Sequence, residues 1–212
     1  LNWNNRYLSG NDTWDTGNFP PVITKLIKLS FSKNNRLKRK YFMPVNLEIK
    51  IPVKNFKKLI AIIEKKGGQK IYSSRQIDIY YKLNNGRLKI RNSSGEKSII
   101  YYKRIEDGSE RWSDFETIKV DKPDKWIKLF DKFLERLTVV DKHRTLYHLY
   151  NTRIHFDKVK GLGNFVELET KVVKGKQKAR KEFQKILELL KLNPEKQILN
   201  SYSDLILLKG KL

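Results

Sequence analysis

The stretch PVNLEIKIPV, residues 44–53, alternates between apolar and polar positions. Val45, Leu47, Ile49 and Ile51 fall on one face of a strand, and Asn46, Glu48 and Lys50 on the other. Strand-like segments follow at 70–82, 87–92, 98–105, 114–120, 139–150, 153–158 and 164–173. NNGR at 84–87, SSGE at 93–96, Asn151-Thr152 and KGLG at 160–163 read as hairpin turns, because Asn and Gly tolerate positive φ.

Helical spacing interrupts this pattern. Phe56, Leu59, Ile60 and Ile63 predict a helix over 53–66, with Gly67-Gly68 as its stop. Pro123 opens a second, carrying Trp126, Leu129, Phe130, Phe133 and Leu134 on its apolar face. Phe183, Ile186, Leu187 and Leu190 place a third over 177–192, and Pro194 follows it. Residues 22–31 fit a short amphipathic helix, and SYSDLILL at 201–208 a last apolar turn or a short helix. No longer period repeats along the chain. Strands joined mostly by hairpins predict an α+β fold: an eight-stranded antiparallel sheet that closes or nearly closes into a β-barrel, with helices packed outside.

The second face of the strands carries charge. Phe165, Glu167, Glu169 and Lys171 share a face against Val166 and Leu168; Gln76, Asp78 and Tyr80 against Ile77 and Ile79; Arg87, Lys89 and Arg91 against Leu88 and Ile90. Tyr101 shares a face with Lys103, Lys142 with Arg144, and Arg153 with His155 and Asp157. An open sheet with one wet face gives the same pattern. In a closed barrel this face looks inward, where unpaired charges cost several kcal/mol each unless a ligand or counter-charge compensates them. Acids and bases lining one lumen suit a divalent metal bound to a polyphosphate: carboxylates hold the hard cation, and Lys and Arg hold phosphate oxygens.

Composition narrows the classes. The 212 residues are 39% hydrophobic and 33% charged, with a formal charge of +23. That is enough chain for a packed core, with no bilayer-length apolar run and no signal-peptide pattern. The absence of cysteine excludes disulfides, thiol chemistry and thiolate zinc sites, and is compatible with a cytoplasmic protein. The positive charge points to an anionic partner, nucleic acid included. Nucleic acid is the weakest of these readings, because the strand carboxylates would repel its backbone. His143, His148 and His155 lack zinc-ligand spacing; His155 is a candidate to line the lumen, with a structural role preferred. Tyr80, Tyr101, Tyr102 and Trp112 are candidates to stack a base, although packing is the commoner use of such residues.

NLEIK, QIDIYY, LKIR, YYKR, DKHRTLY, IHFDKVKGLGNFVELE and SYSDLI, taken in order, resemble the successive motifs of the CYTH, or triphosphate tunnel metalloenzyme, superfamily. The likeness runs over about 44–208 and is greatest to class IV adenylyl cyclases and their bacterial relatives. It implies an eight-stranded antiparallel tunnel acting on triphosphates with Mg²⁺ or Mn²⁺. Glu48 and Lys50 then match the second glutamate and the lysine of the E-x-E-x-K motif, while Asn46 replaces the first glutamate and removes one charge. Glu167 and Glu169 match metal-binding carboxylates, with Asp157 as a supporting acid of the same metal set. Lys50, Arg91, Lys103, Lys142 and Arg144 match the cations that grip the triphosphate, with Lys50, Lys103 and Arg144 as the catalytic candidates. Asp78, Asp114 and Glu116 are weaker candidates behind them.

The resemblance implies an enzyme that converts ATP to cyclic AMP and pyrophosphate. The alternatives are a triphosphatase and a silent polyphosphate binder, which Asn46 favours. The expected partner is a small-molecule triphosphate, with a homodimer as an option and no membrane association. Residues 1–40 form an N-terminal appendage ending in the basic linker SKNNRLKRK, and the chain opens on Leu1, as a fragment would. WNNRYLSGNDTWDTGNFPPVI resembles the opening of thiopurine methyltransferase-type enzymes. No glycine-rich loop for S-adenosylmethionine follows it, so the segment reads as a truncated remnant, a fusion or a gene-model error without methyl transfer.

Overall fold

The computed structural model describes residues 45–83, 86–107 and 110–210, with the backbone alone at 45, 103–107 and 110–115. The expected helix over 22–31, the appendage and the basic linker lie outside the described residues.

The described residues form eight strands: β1 Val45–Pro52, β2 Gln69–Tyr81, β3 Arg87–Ser93, β4 Lys97–Asp107, β5 Glu110–Lys119, β6 Arg136–Leu149, β7 Thr152–Val159 and β8 Gly163–Lys171. Their order around the sheet is β1-β5-β4-β3-β2-β6-β7-β8, and β8 pairs again with β1, so the barrel closes. Every pairing is antiparallel. Hairpins make five of the connections, and the longer links β1 to β2 and β5 to β6 each carry a helix. β1 therefore lies between β5 and β8, and motifs from the two ends of the described chain meet on adjacent strands.

Among the described residues, four α-helices accompany the barrel: α1 Lys57–Lys65, α2 Pro123–Phe130, α3 Lys176–Leu189 and α4 Tyr202–Lys209. α1 ends where the sequence requires. A Cβ at Gly68 would lie 2.2 Å from Cγ2 of Ile63, so only glycine lets the chain turn back under the helix. α2 is shorter than its apolar spacing suggests: the helix stops at Phe130, and Phe133 and Leu134 fall in the following turn. α3 docks through Phe183, Ile186 and Leu187, and Glu182 accepts a hydrogen bond from the backbone N–H of Asn151 in the β6–β7 turn (2.7 Å).

The main core lies outside the barrel wall. Leu47, Ile49 and Ile51 of β1, Ile154 and Phe156 of β7, and Val166 and Leu168 of β8 pack against Ile63 of α1 and Phe183, Ile186 and Leu187 of α3. β1, β7 and β8 thus spend their apolar faces on helices and turn their charged faces inward, the arrangement that alternation and closure together require.

α4 departs from the expected outer layer. Its Tyr202 joins Tyr80, Val140, Val159 and Phe165, residues of the inner face, so its first turn closes over one end of the lumen. A capping box fixes that turn: the Ser201 hydroxyl accepts from the Asp204 backbone N–H, and the Asp204 carboxylate accepts from the Ser201 N–H. Arg87 then grips Asp204 with both terminal nitrogens, at 2.7 and 3.0 Å. Among the described residues, no helix is long and apolar enough to cross a membrane.

Candidate functional site

The inner face encloses a cavity of about 350 Å³. Pairing registers set its wall. Across β1 and β8, Glu48 stands opposite Glu169 and Lys50 opposite Glu167. Across β7 and β8, Arg153 stands opposite Glu169 and His155 opposite Glu167. Glu48, Lys50, Arg91, Lys142, Arg144, Glu167 and Glu169 all line this one cavity. Carboxylates near the two ends of the barrel sequence are therefore neighbours in space.

Behind the lining lie two fully buried acids that aim the cations. Asp157 accepts from Arg144 Nε at 2.6 Å and from Lys142 Nζ at 2.9 Å. Burial alone would raise its pKa, but the charges of Arg144 and Lys142 hold it well below the usual carboxylate range. Asp78 does the same for Arg91, accepting from Nε at 3.0 Å and Nη2 at 3.2 Å, with Lys89 Nζ at 3.2 Å. Its pKa is likewise depressed: burial pushes upward and is outweighed by Arg91 and Lys89. Neither Asp157 nor Asp78 lines the cavity.

The lining groups are paired too. Arg144 Nη2 reaches Oε2 of Glu167 at 2.6 Å, and Lys50 Nζ lies 3.6 Å from its Oε1. Burial would raise Glu167, yet Lys50 and Arg144 bring it down to about 2. Glu169 is depressed against burial by Arg153, whose Nη2 lies 2.6 Å from Oε2, and by His155. Lys50 also donates to the carbonyl of Asn200 at 2.7 Å and sits 4.3 Å from the ring centroid of Tyr202. Lys142 is 4.8 Å from the same ring. Burial, with Arg144 adding to it, pulls the Lys142 ammonium down to about 8, although Asp157 and Glu167 oppose the shift.

Sequence reasoning mistakes some faces. On β4 the lining residues are Ile100 and Tyr102, so Tyr101 belongs to the other side of the strand. On β5 Thr117 lines the cavity and pairs with Ile100, which turns Glu116 outward opposite Tyr101 and removes it from the site. β4 carries bulky residues at successive positions, and alternation is then ambiguous. The side chains of Lys103, Trp112 and Asp114 lie outside the described residues.

Residues the sequence did not single out also line the cavity: Tyr72, Lys89, Glu96, Arg153 and Tyr202. Alternation reaches Lys89 and Arg153. Nothing in the sequence marks Glu96, a turn residue that accepts from Arg91 Nη1 at 2.9 Å and from Ser98 Oγ at 2.9 Å. Asn46 lines the cavity on the same face as Glu48. Among the described residues, no three His, Asp or Glu side chains already enclose a point where an ion would sit. The acids are instead held by cations.

The CYTH domain family matches residues 45–202. A protein of Methanocaldococcus jannaschii named "Putative adenylate cyclase" is 26% identical over 172 residues, covering 76% of this chain and 98% of its own. A solved Pyrococcus horikoshii protein superposes with a TM-score of 0.68 at 25% identity, covering 76% of this chain and 98% of that one. A Hippeastrum protein, described as a "Putative adenylyl cyclase" with a dominant triphosphatase activity, shares the fold at a TM-score of 0.56 and 10% identity. It covers 80% of this chain and 96% of its own.

Proposed function

The chain belongs to the CYTH domain family, and from that premise we propose that its lumen binds the triphosphate of ATP or a similar molecule as the active site of a divalent-metal-dependent enzyme. The observation that carries this reading is the wall of the cavity: Glu48, Glu167 and Glu169 on adjacent strands, beside Lys50, Lys142, Arg144 and Arg91. A triphosphate alone would be repelled by the acids, and a metal alone by the bases. Together they satisfy both.

The donor set fits a hard divalent ion, because glutamates on two neighbouring strands supply oxygen, as Mg²⁺ or Mn²⁺ prefers. Glu48, Glu167 and Glu169 would hold it, with Asp157 orienting Arg144 and Lys142 from behind. Bound there, the ion would neutralise phosphate oxygens and lower the barrier to attack at phosphorus. Lys50, Lys142 and Arg144 stabilise charge that builds on the departing phosphate; Asp157 keeps Lys142 and Arg144 from reorganising as it builds, and Asp78 does the same for Arg91. Arg144, fixed at two nitrogens, is the most rigid of them. The family resemblance adds Lys103 to this set, but position 103 has the strand parity of Tyr101 and not of the lining Ile100 and Tyr102, so we leave it out.

The reaction we assign is cyclisation: the 3′-hydroxyl of ATP attacks its own α-phosphorus, and cyclic AMP and pyrophosphate leave. The second reading is hydrolysis at the terminal phosphate. One observation favours it: Tyr80 and Tyr102, the aromatic candidates for a base, have Lys89 Nζ near their rings, 5.4 and 5.6 Å from the centroids, and so help form a cationic lining.

Incubation with ATP and Mn²⁺ or Mg²⁺, followed by product identification, separates the readings. Cyclic AMP with pyrophosphate establishes the cyclase, and ADP with released phosphate the hydrolase. Unchanged ATP that still binds establishes a silent site. Failure to bind tripolyphosphate or ATP with metal present ends the proposal.

A further inference from the structure

His155 sits on β7 with 4% of its surface exposed, facing the cavity. Its Nδ1 has no hydrogen-bond partner among the described residues, although buried polar side chains almost always find partners. Its Nε2 lies 3.3 Å from Oε1 of Glu169. The other oxygen of that carboxylate, Oε2, is engaged by Arg153 at 2.6 Å. Glu169 is thus pinned from one side, and a nitrogen and an oxygen donor are presented together on the other. Adjacent ligands on an octahedral ion with bonds of about 2.1 Å lie about 3 Å apart, and this pair has that spacing. On the row next to Glu169, His155 also stands opposite Glu167, whose own cross-strand partner on β1 is Lys50.

We propose that His155 is a metal ligand, its Nε2 adding a nitrogen donor beside Glu169, and that the site therefore favours Mn²⁺ and later first-row ions over Mg²⁺. The inference rests on the metal-dependent reading above and deepens it. Carboxylates alone suit Mg²⁺ and Mn²⁺ alike, and it is an imidazole that shifts the balance, because Mg²⁺ binds nitrogen poorly and transition ions bind it well. The sequence hides this residue: a lone histidine at no metal-ligand spacing gains its meaning only when β7 is placed against β8.

The test is spectroscopic and needs no turnover. Mn²⁺ is titrated into the full chain, and the bound ion is examined by electron spin-echo envelope modulation, with natural and ¹⁵N-histidine-labelled protein. Binding is also compared for Mn²⁺ and Mg²⁺ in the wild type, His155→Gln and His155→Leu. The expected result is nitrogen modulation that changes isotope pattern on labelling and vanishes in His155→Gln. Mn²⁺ affinity should fall about tenfold or more in both variants, while Mg²⁺ affinity moves by less than about threefold. Tight Mn²⁺ binding without nitrogen modulation, or unaltered ion preference in folded variants, overturns the role of His155 and leaves the metal site standing. No Mn²⁺ binding by the wild type overturns both. Should a variant fail to fold, the labelled wild type still decides.

Discussion

Glu48 and Glu169 stand directly opposite each other across the β1–β8 pair. Like charges at such positions are unfavourable, by about 0.2–1 kcal/mol where water screens them. A barrel that keeps them there gains something other than stability. Glu48→Gln should therefore leave the metal-free fold within about 1 kcal/mol of the wild type. Turnover should fall by at least about a hundredfold, the scale of losing one electrostatic contact to the transition state. Thermal melts in EDTA and in Mn²⁺ check both halves: the wild type should gain stability with the metal, and the variant should gain less.

Asp78 anchors Arg91 and Lys89 from a fully buried position, and its folded pKa lies below its unfolded value near 3.9. A depressed carboxylate contributes stability that is complete above the unfolded pKa and disappears as pH falls through the folded one. The expected outcome is a wild type that loses stability steeply below about pH 4. Asp78→Asn should begin about 3–5 kcal/mol lower at pH 7 and show a shallower acid limb. Urea midpoints between pH 2.5 and 7 measure this. Equal slopes for the two proteins would remove Asp78 from the account.

Lys142 gives a slope of the same sign in a more alkaline window, for a different reason: burial disfavours its charged form. Burial brings its folded pKa down to about 8, below the unfolded value near 10.4. Between those values the unfolded chain binds the extra proton, so this residue makes stability rise with pH there. Phosphate binding needs the charged form, so affinity for tripolyphosphate should weaken as pH climbs through about 8. Lys142→Arg keeps its charge and should flatten that limb. Calorimetric titration at pH 7, 8 and 9 decides it, since a limb that persists in the arginine variant must come from another group.

Much of this site was legible because β1, β3 and β8 alternate cleanly. Glu48, Lys50, Arg91, Glu167 and Glu169 follow from parity once closure is assumed. Parity gives a face but not a depth. It cannot say that Asp157 and Asp78 lie behind the cations rather than in the cavity. On β4, where apolar or aromatic groups occupy successive positions, it gives the wrong face for Tyr101 and for position 103, which shares its parity. The placement of α4 was hidden for another reason. An apolar octapeptide does not reveal which apolar surface it will cover, and Tyr202 finds its partners in Phe165 and Tyr80, residues far apart in sequence.

Asn46 lines the cavity two residues before Glu48 and is 3% exposed, at the place where the family motif carries its first glutamate. Asn46→Glu would put a third carboxylate on this short arc of wall, next to Glu48 and Glu169. Without metal, the new carboxylate is buried beside Glu48 and Glu169 and, among the described residues, only the exposed Lys171 stands opposite it on β8 to offset the charge, so the variant should melt below the wild type in EDTA. With metal that penalty reverses, because an added anionic oxygen strengthens a hard-cation site. Mn²⁺ should therefore raise the melting temperature of Asn46→Glu more than that of the wild type, and its Mn²⁺ affinity should exceed the wild type's by about tenfold. The two shifts belong together. A variant destabilised equally with and without Mn²⁺ would show that position 46 is a packing position, and that the ion is held too far along β1 for it to matter.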